Sequence, residues 1–409
     1  MIGRWLLVLG GAALVVACGS HGDSSNATAP GGNGGSGSLQ NGRIPVNAPS
    51  CGTSTALLSV PPIPLSVIKG WVPLGQMSPS GHTFPVDHQY LYINVNTGVN
   101  GPATPVYLQP TLVAPADMYI TYIHAGTTTP PGLADYTIEF AVCKEVYGQF
   151  GHVASIAPSL LAQVGPIDQG CQTYSPNPGT DVNTCETKLL AIAVHAGDVL
   201  GTAGGDPPHS IALDWSFWDS RVPASVFANP ARFPVLSDGF DAYHDVPASD
   251  YFVSPLKSQV AALLGTYDGS VHRTIPPLGG TIAVDIAGTA MGHWYNPTQP
   301  VNPETPHLAV APDNVNPNMI GFSVGLSLPG WTLGLQEFAP TNSGTVNRNP
   351  GQVTADGNIF CYESPGIWIM LLKMPTATTL QLEGRKGAVS CAAALPWAFT
   401  SGGSFTYSR

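Results

Sequence analysis

Alternation of apolar and polar side chains with a period of two recurs along this chain, while helical periodicity is confined to short stretches. Thr137-Ile138-Glu139-Phe140 and Thr379-Leu380-Gln381-Leu382-Glu383 alternate, which predicts strands with one buried face. Ile367 to Leu372 is apolar throughout, as expected of a strand covered on both faces. Ala309 to Gly325 and Ser404 to Arg409 also read as strands, the last one paired within its sheet. Helical spacing is clearest in Pro255 to Tyr267. There Leu256, Val260, Leu263, Leu264 and Tyr267 share a face, behind Ser254 as N-cap and Pro255 at the first position. A shorter helix is expected within Val153 to Val164, and no repeat of solenoid or propeller period is present.

Composition extends this picture. The 409 residues include 47 Gly and 40 Pro, too many for long helices, and 43 % are hydrophobic, enough to bury substantial cores. The expected fold class is all-β, with two mostly antiparallel domains, 43–235 and 236–409, divided in the loop-rich stretch around Arg221 to Tyr243. Only 10 % of residues are charged, and the formal net charge is −11. A nucleic-acid binder needs a basic stripe and a charged helical bundle needs i,i+4 pairs, so both classes are excluded.

Residues 1–18 read as a lipoprotein signal peptide. Arg4 precedes an apolar run from Leu6 to Ala17, too short to span a bilayer core about 30 Å thick. Val15-Val16-Ala17-Cys18 has the form of a lipobox, which makes Cys18 the lipidated residue. Residues 19–42 are almost entirely Gly, Ser, Asn, Ala and Pro, the composition of a flexible tether. The expected location is the cell envelope, held to the membrane by the lipid, and the outer membrane if the cell has two membranes.

Six further cysteines remain, an even number suited to an oxidising compartment. None forms CxxC, which argues against zinc ribbons, redox pairs and haem attachment. Proximity in sequence pairs Cys171 with Cys185 and Cys361 with Cys391, leaving Cys51 with Cys143.

The candidate chemistry is a series of histidines in the first domain. Gly81-His82-Thr83-Phe84-Pro85-Val86-Asp87-His88 sets an imidazole and a carboxylate either side of a bend. Tyr147-Gly148-Gln149-Phe150-Gly151-His152 follows, then the glycine-rich Ala196 to Gly205, then Pro208-His209 and Ala212-Leu213-Asp214-Trp215. Across roughly residues 70 to 220 this order resembles the LytM/M23 family of metallopeptidases. In that family an HxxxD-type motif, a Tyr-x-His-Leu-like segment, a G-D-V-I-G-x-x-G turn and an HxH strand follow one another.

The resemblance implies that His82 and Asp87 hold zinc, although four residues separate them where most members have three. It also implies that His152 assists hydrolysis. The third ligand would be His209 or Asp214, because no HxH occurs: Ile211 stands where a second histidine would follow His209, or Asp214 replaces the ligand imidazole. Such a set implies a family member that has kept a groove and lost hydrolysis, acting as a cell-wall or extracellular binding or scaffolding protein without a cofactor. An active zinc endopeptidase on peptidoglycan or another peptide is the alternative. A surface adhesin binding glycans through Trp and Tyr faces is a third. Residue by residue, Trp215 and Trp218 read as core, His88 as a cross-strand hydrogen bonder, and His293 and His307 as satisfied histidines. Phosphate-binding glycine loops are absent, and so is a GxSxG elbow outside the tether.

Overall fold

The alternating and apolar stretches do form strands: 40 % of the chain is strand against 8 % helix, so the fold is all-β. The computed structural model describes residues 44–45, 47–79, 81–93, 95–96, 106–129, 133–177, 180–205, 211–232, 241–301, 303–387 and 389–409. The expected leader with Cys18, the expected tether over 19–42 and His209 lie outside them. No helix among the described residues is long and apolar enough to cross a membrane.

The larger sheet runs, in spatial order, Ile68–Val72, Gln89–Ile93, Ala212–Asp219, Val146–Ile156, Leu133–Ala141, Met118–Thr129, Thr180–Glu186 and Gln169–Asn177. Neighbours along this path are antiparallel. Strand alternation sends Leu91, Leu213, Trp215, Phe217, Phe150 and Phe140 into one core. Trp215 lies at its centre, with ring centroids 5.2 Å from Phe150, 5.9 Å from Phe252 and 6.0 Å from Trp71. Large buried side chains of this kind stabilise the fold by about 1.5–3 kcal/mol each. The same alternation turns Tyr90, Tyr92, Gln149, Asp214 and Ser216 to the opposite face, where the chemistry resides.

Ala248, Tyr251, Phe252, Val260 and Leu264 belong to this core as well, so the first β-region draws on chain beyond residue 235. Of the helix expected over Pro255 to Tyr267, only Leu256–Ala261 is helical, and Pro255 rather than Ser254 precedes it without a side-chain cap. The next turn is lost to the sheet. Trp71 N–H donates to Leu263 O (3.1 Å) and Gly265 N–H donates to Trp71 O (2.9 Å), which takes up groups that helix continuation would use. Val153 to Ile156 likewise continues a strand, paired with Val199–Ala203, and the helix begins only at Pro158 and runs to Val164.

The C-terminal region holds two four-stranded sheets. One contains Gly292–Trp294, Leu308–Pro312, Ile320–Val324 and Gly334–Phe338. The other contains Phe360–Ser364, Trp368–Thr376, Thr379–Lys386 and Ser404–Ser408. They share a core that includes Trp294, Phe322, Tyr362 and Tyr407. Of the apolar run expected over Ile367 to Leu372, Ile367 falls in the preceding turn and is 64 % exposed, and the rest is buried on both faces: Met370 and Leu372 point into that core, Ile369 and Leu371 into a second one with Cys361 and Cys391. Ser404–Ser408 pairs with Thr379–Lys386.

The disulfides are Cys51–Cys143, Cys171–Cys185 and Cys361–Cys391, the pairs expected from spacing. The first spans 92 residues of sequence, and on chain-entropy grounds a loop of that size stabilises the fold by about 4–5 kcal/mol.

Candidate metal centre

Three adjacent strands bring the chemistry together. Asp214 lies in register with Tyr90 on one side and with Gly151 on the other. His88, two residues before Tyr90, and His152, next to Gly151, thereby converge on its carboxylate. Gly151 leaves the space they need, since a Cβ there would sit 3.3 Å from Asp214 Cβ.

His152 is held in an unusual backbone state. Its φ of 55° lies in the left-handed region that residues with a side chain rarely adopt, within a strand whose pairing shifts register nearby. The glycine-rich turn holds it there. His152 O accepts from Gly204 N–H (3.0 Å) and Gly205 N–H (2.8 Å), and these glycines have φ of 103° and 47°. Strain of this type costs about 1–3 kcal/mol and clusters at functional sites.

The side chains form a chain of alternating acids and bases. His88 Nδ1 donates to Asp87 Oδ1 (3.1 Å), and His152 Nδ1 donates to Asp135 Oδ2 (2.7 Å). Both Nε2 atoms then face Asp214 Oδ2, at 3.5 Å from His88 and 3.4 Å from His152. The His82 ring stands edge-on to His88 with centroids 5.3 Å apart. Burial, with His88 next, pushes the His82 pKa down to about 3 against the pull of Asp87, so this imidazole is neutral at ordinary pH. Burial opposes charge on His88 too, yet Asp214 and Asp87 outweigh it and hold its pKa above the usual value. Tyr92, beside the cluster, is pushed up to about 12 by burial and by Asp214.

The arrangement is chemically incomplete as a purely structural cluster. Asp214 Oδ1, Asp135 Oδ1 and His88 Nε2 are buried without a hydrogen-bond partner, a state that costs about 1–3 kcal/mol per group. A zinc-class ion would answer the part of that deficit at Asp214 and His88 Nε2. Two donors each about 2.1 Å from a tetrahedral ion lie about 3.4 Å apart, close to both His–Asp214 separations, and metal-ligating histidines usually donate their other N–H to a carboxylate. The residues therefore fit such an ion by donor type. The cluster is wider than a loaded site. Among the described residues, the one set of three donors lying within 4.8 Å of one another is Cys51, Cys143 and Glu145, whose sulfurs are consumed by a disulfide. Asp214 instead stands between the His88 and His152 imidazoles, so side chains must move before three donors can share an ion.

Of the residues singled out in sequence, His82, His152 and Asp214 are gathered here. Asp87 is present but its carboxylate accepts from His88 Nδ1 rather than joining His82 as a second ligand; the two residues lie in a bend, which brings their adjacent side chains together. His88 and Asp135 were not expected at the centre. The spacing of His88, Tyr90 and Tyr92 along one strand face is the signal that could have found His88, whereas Asp135 reaches His152 only through sheet pairing. Trp215 and Trp218 are fully buried and offer no sugar platform. Comparison with protein-family models, curated proteins and solved structures found no match to this chain.

Proposed function

We propose that this chain is an envelope-anchored protein whose first β-region is a LytM/M23-like domain acting on peptide bonds of peptidoglycan or another extracytoplasmic peptide. The observation that carries the reading is the pair of carboxylate-backed imidazoles, His88 with Asp87 and His152 with Asp135, aimed at the partly unpartnered carboxylate of Asp214. His82, His88 and Asp214 would hold the ion, with Asp214 in the place of the family's imidazole. A zinc-class ion there would supply Lewis acidity and an acidified water. His152, oriented by Asp135, would take or return a proton at Nε2. The low number of cationic residues in the chain suits a substrate that is not strongly anionic.

A second reading, binding or scaffolding without hydrolysis, is favoured by Ala212. It precedes Asp214 by two on the same strand, where the family's HxH strand carries its other histidine. Two measurements on the exported chain separate the readings: zinc stoichiometry, and release of soluble fragments from purified peptidoglycan. One zinc per chain with cleavage, both lost in Asp214→Ala, supports the hydrolase. Zinc with retention on insoluble peptidoglycan and no cleavage supports the scaffold. A wild-type chain that takes up no zinc overturns the metal centre.

A further inference from the structure

The loop that carries His82, Asp87 and His88 is gripped from the far half of the molecule. Backbone bonds between Ser78 and His82 (2.8 and 3.0 Å) and from Val86 N–H to Gln76 O (3.0 Å) fold it into a narrow finger. Phe84, at the middle of that finger, is 3 % exposed. Its ring stacks on His307 (5.4 Å, 8°) and meets His293 (5.0 Å) and Tyr295 (5.2 Å) edge-on. Met77 joins the same small apolar cluster with Tyr295, Ala309 and Ala311, all from the C-terminal region. His307 is itself pinned, its Nδ1 accepting from Asn296 N–H (3.0 Å) and its Nε2 donating to Pro300 O (2.8 Å). Glu304 completes the grip: Oε2 accepts from Phe84 N–H at 2.8 Å, and Thr83 N–H also bonds to this carboxylate.

We propose that Glu304 is a positioning residue and that the C-terminal β-region serves as a clamp on the metal loop, so that the centre is complete only when both halves of the chain are docked. This rests on the metal reading given above. Glu304 touches no donor atom. It fixes the two amides that directly follow His82, and Phe84 lies two residues from His82 and four from His88, so releasing the clamp frees both imidazoles together. His82 and His88 are carried on one short stretch of backbone, so a loose finger misplaces both at once. Removal of groups that support metal ligands typically lowers affinity 10- to 100-fold, and a clamp of this kind belongs in that range.

The test is zinc affinity by competition titration on the full chain, together with amide hydrogen exchange. Glu304→Ala is expected to bind zinc 10- to 100-fold more weakly, and Glu304→Gln, which keeps an acceptor oxygen, to stay within about threefold of wild type. Exchange over residues 77–88 should accelerate in Glu304→Ala while the Ala212–Asp219 and Trp368–Thr376 strands stay protected. In the wild-type protein, zinc should slow exchange at 77–88 and also at 292–312, and Glu304→Ala should abolish the second effect. Equal zinc affinity in Glu304→Ala, or zinc protection confined to the first region, overturns the clamp. If wild type binds no zinc, the metal reading fails, and the clamp is then judged by exchange alone: unchanged exchange at 77–88 in Glu304→Ala sinks it.

Discussion

Asp214 and Glu383 are both carboxylates buried in antiparallel sheet, and they are treated in opposite ways. Glu383, 2 % exposed in the C-terminal region, accepts from Arg385 Nε (2.8 Å) at one oxygen and from Thr400 N–H (2.7 Å) at the other. Asp214, 7 % exposed, has one oxygen between two imidazoles just beyond hydrogen-bonding range and the other with no partner. The histidines repeat the contrast: both ring nitrogens of His307 are used, whereas His88 Nε2 is not. A saturated buried polar group rigidifies its sheet, and an unsaturated one costs stability unless something else completes it. The difference is one between these two carboxylate sites rather than between whole regions, since Ser323, Tyr362 and Tyr407 of the C-terminal sheets also bury unpartnered oxygens.

The largest expected effect probes the unsaturated half. Zinc at a hundredfold over its dissociation constant should raise wild-type stability by about 2.7 kcal/mol, and Asp214→Ala or His88→Ala should erase that increment in thermal unfolding. If either variant keeps it, the contrast with Glu383 loses its meaning. Acid is the next lever. His82 is buried with a pKa lowered to about 3 from 6.5, so the unfolded chain takes up this proton first. Its contribution is present above pH 6.5 and is lost progressively as pH falls toward about 3, and denaturant titrations of metal-free His82→Asn should show a flatter slope in that window. A variant as acid-sensitive as wild type would remove His82 from the account. Glu383→Ala, the smallest of the three, should lower baseline stability by about 1–3 kcal/mol through the orphaned Thr400 N–H and Arg385, while leaving the zinc increment intact. Loss of the increment there would mean that the two carboxylates are not separable.

Local patterning made the strand architecture legible and left the centre only partly so. Period two was enough for Thr137 to Phe140 and Thr379 to Glu383, and unbroken apolarity for the run after Ile367, because each reports its own burial. The helix over Pro255 to Tyr267 was overextended for a reason outside its own sequence: Leu263 and Leu264 have helical spacing, but Trp71 claims the backbone there. At the centre, His82, His152 and Asp214 were visible as residue types in a suggestive order. Asp87 and His88 are neighbours, and nothing local says which faces Asp214. That choice is made by register with a strand more than a hundred residues away, and Asp135 is recruited in the same non-local way.

The Cys51–Cys143 bond also sets a mechanical path. A pull on the chain from its N-terminal side first meets the packing of Ile44 on Ala141, Tyr147 and Trp218, and at Cys51 it crosses covalently to Cys143, three residues before the strand that carries His152. The intervening segment, which includes the finger with His82 and His88, is bypassed and carries no tension until the sulfur link breaks. Stretch between the N-terminal side and residues beyond Cys143 would therefore leave the finger with His82 and His88 unloaded, with the force borne by the middle of the large sheet.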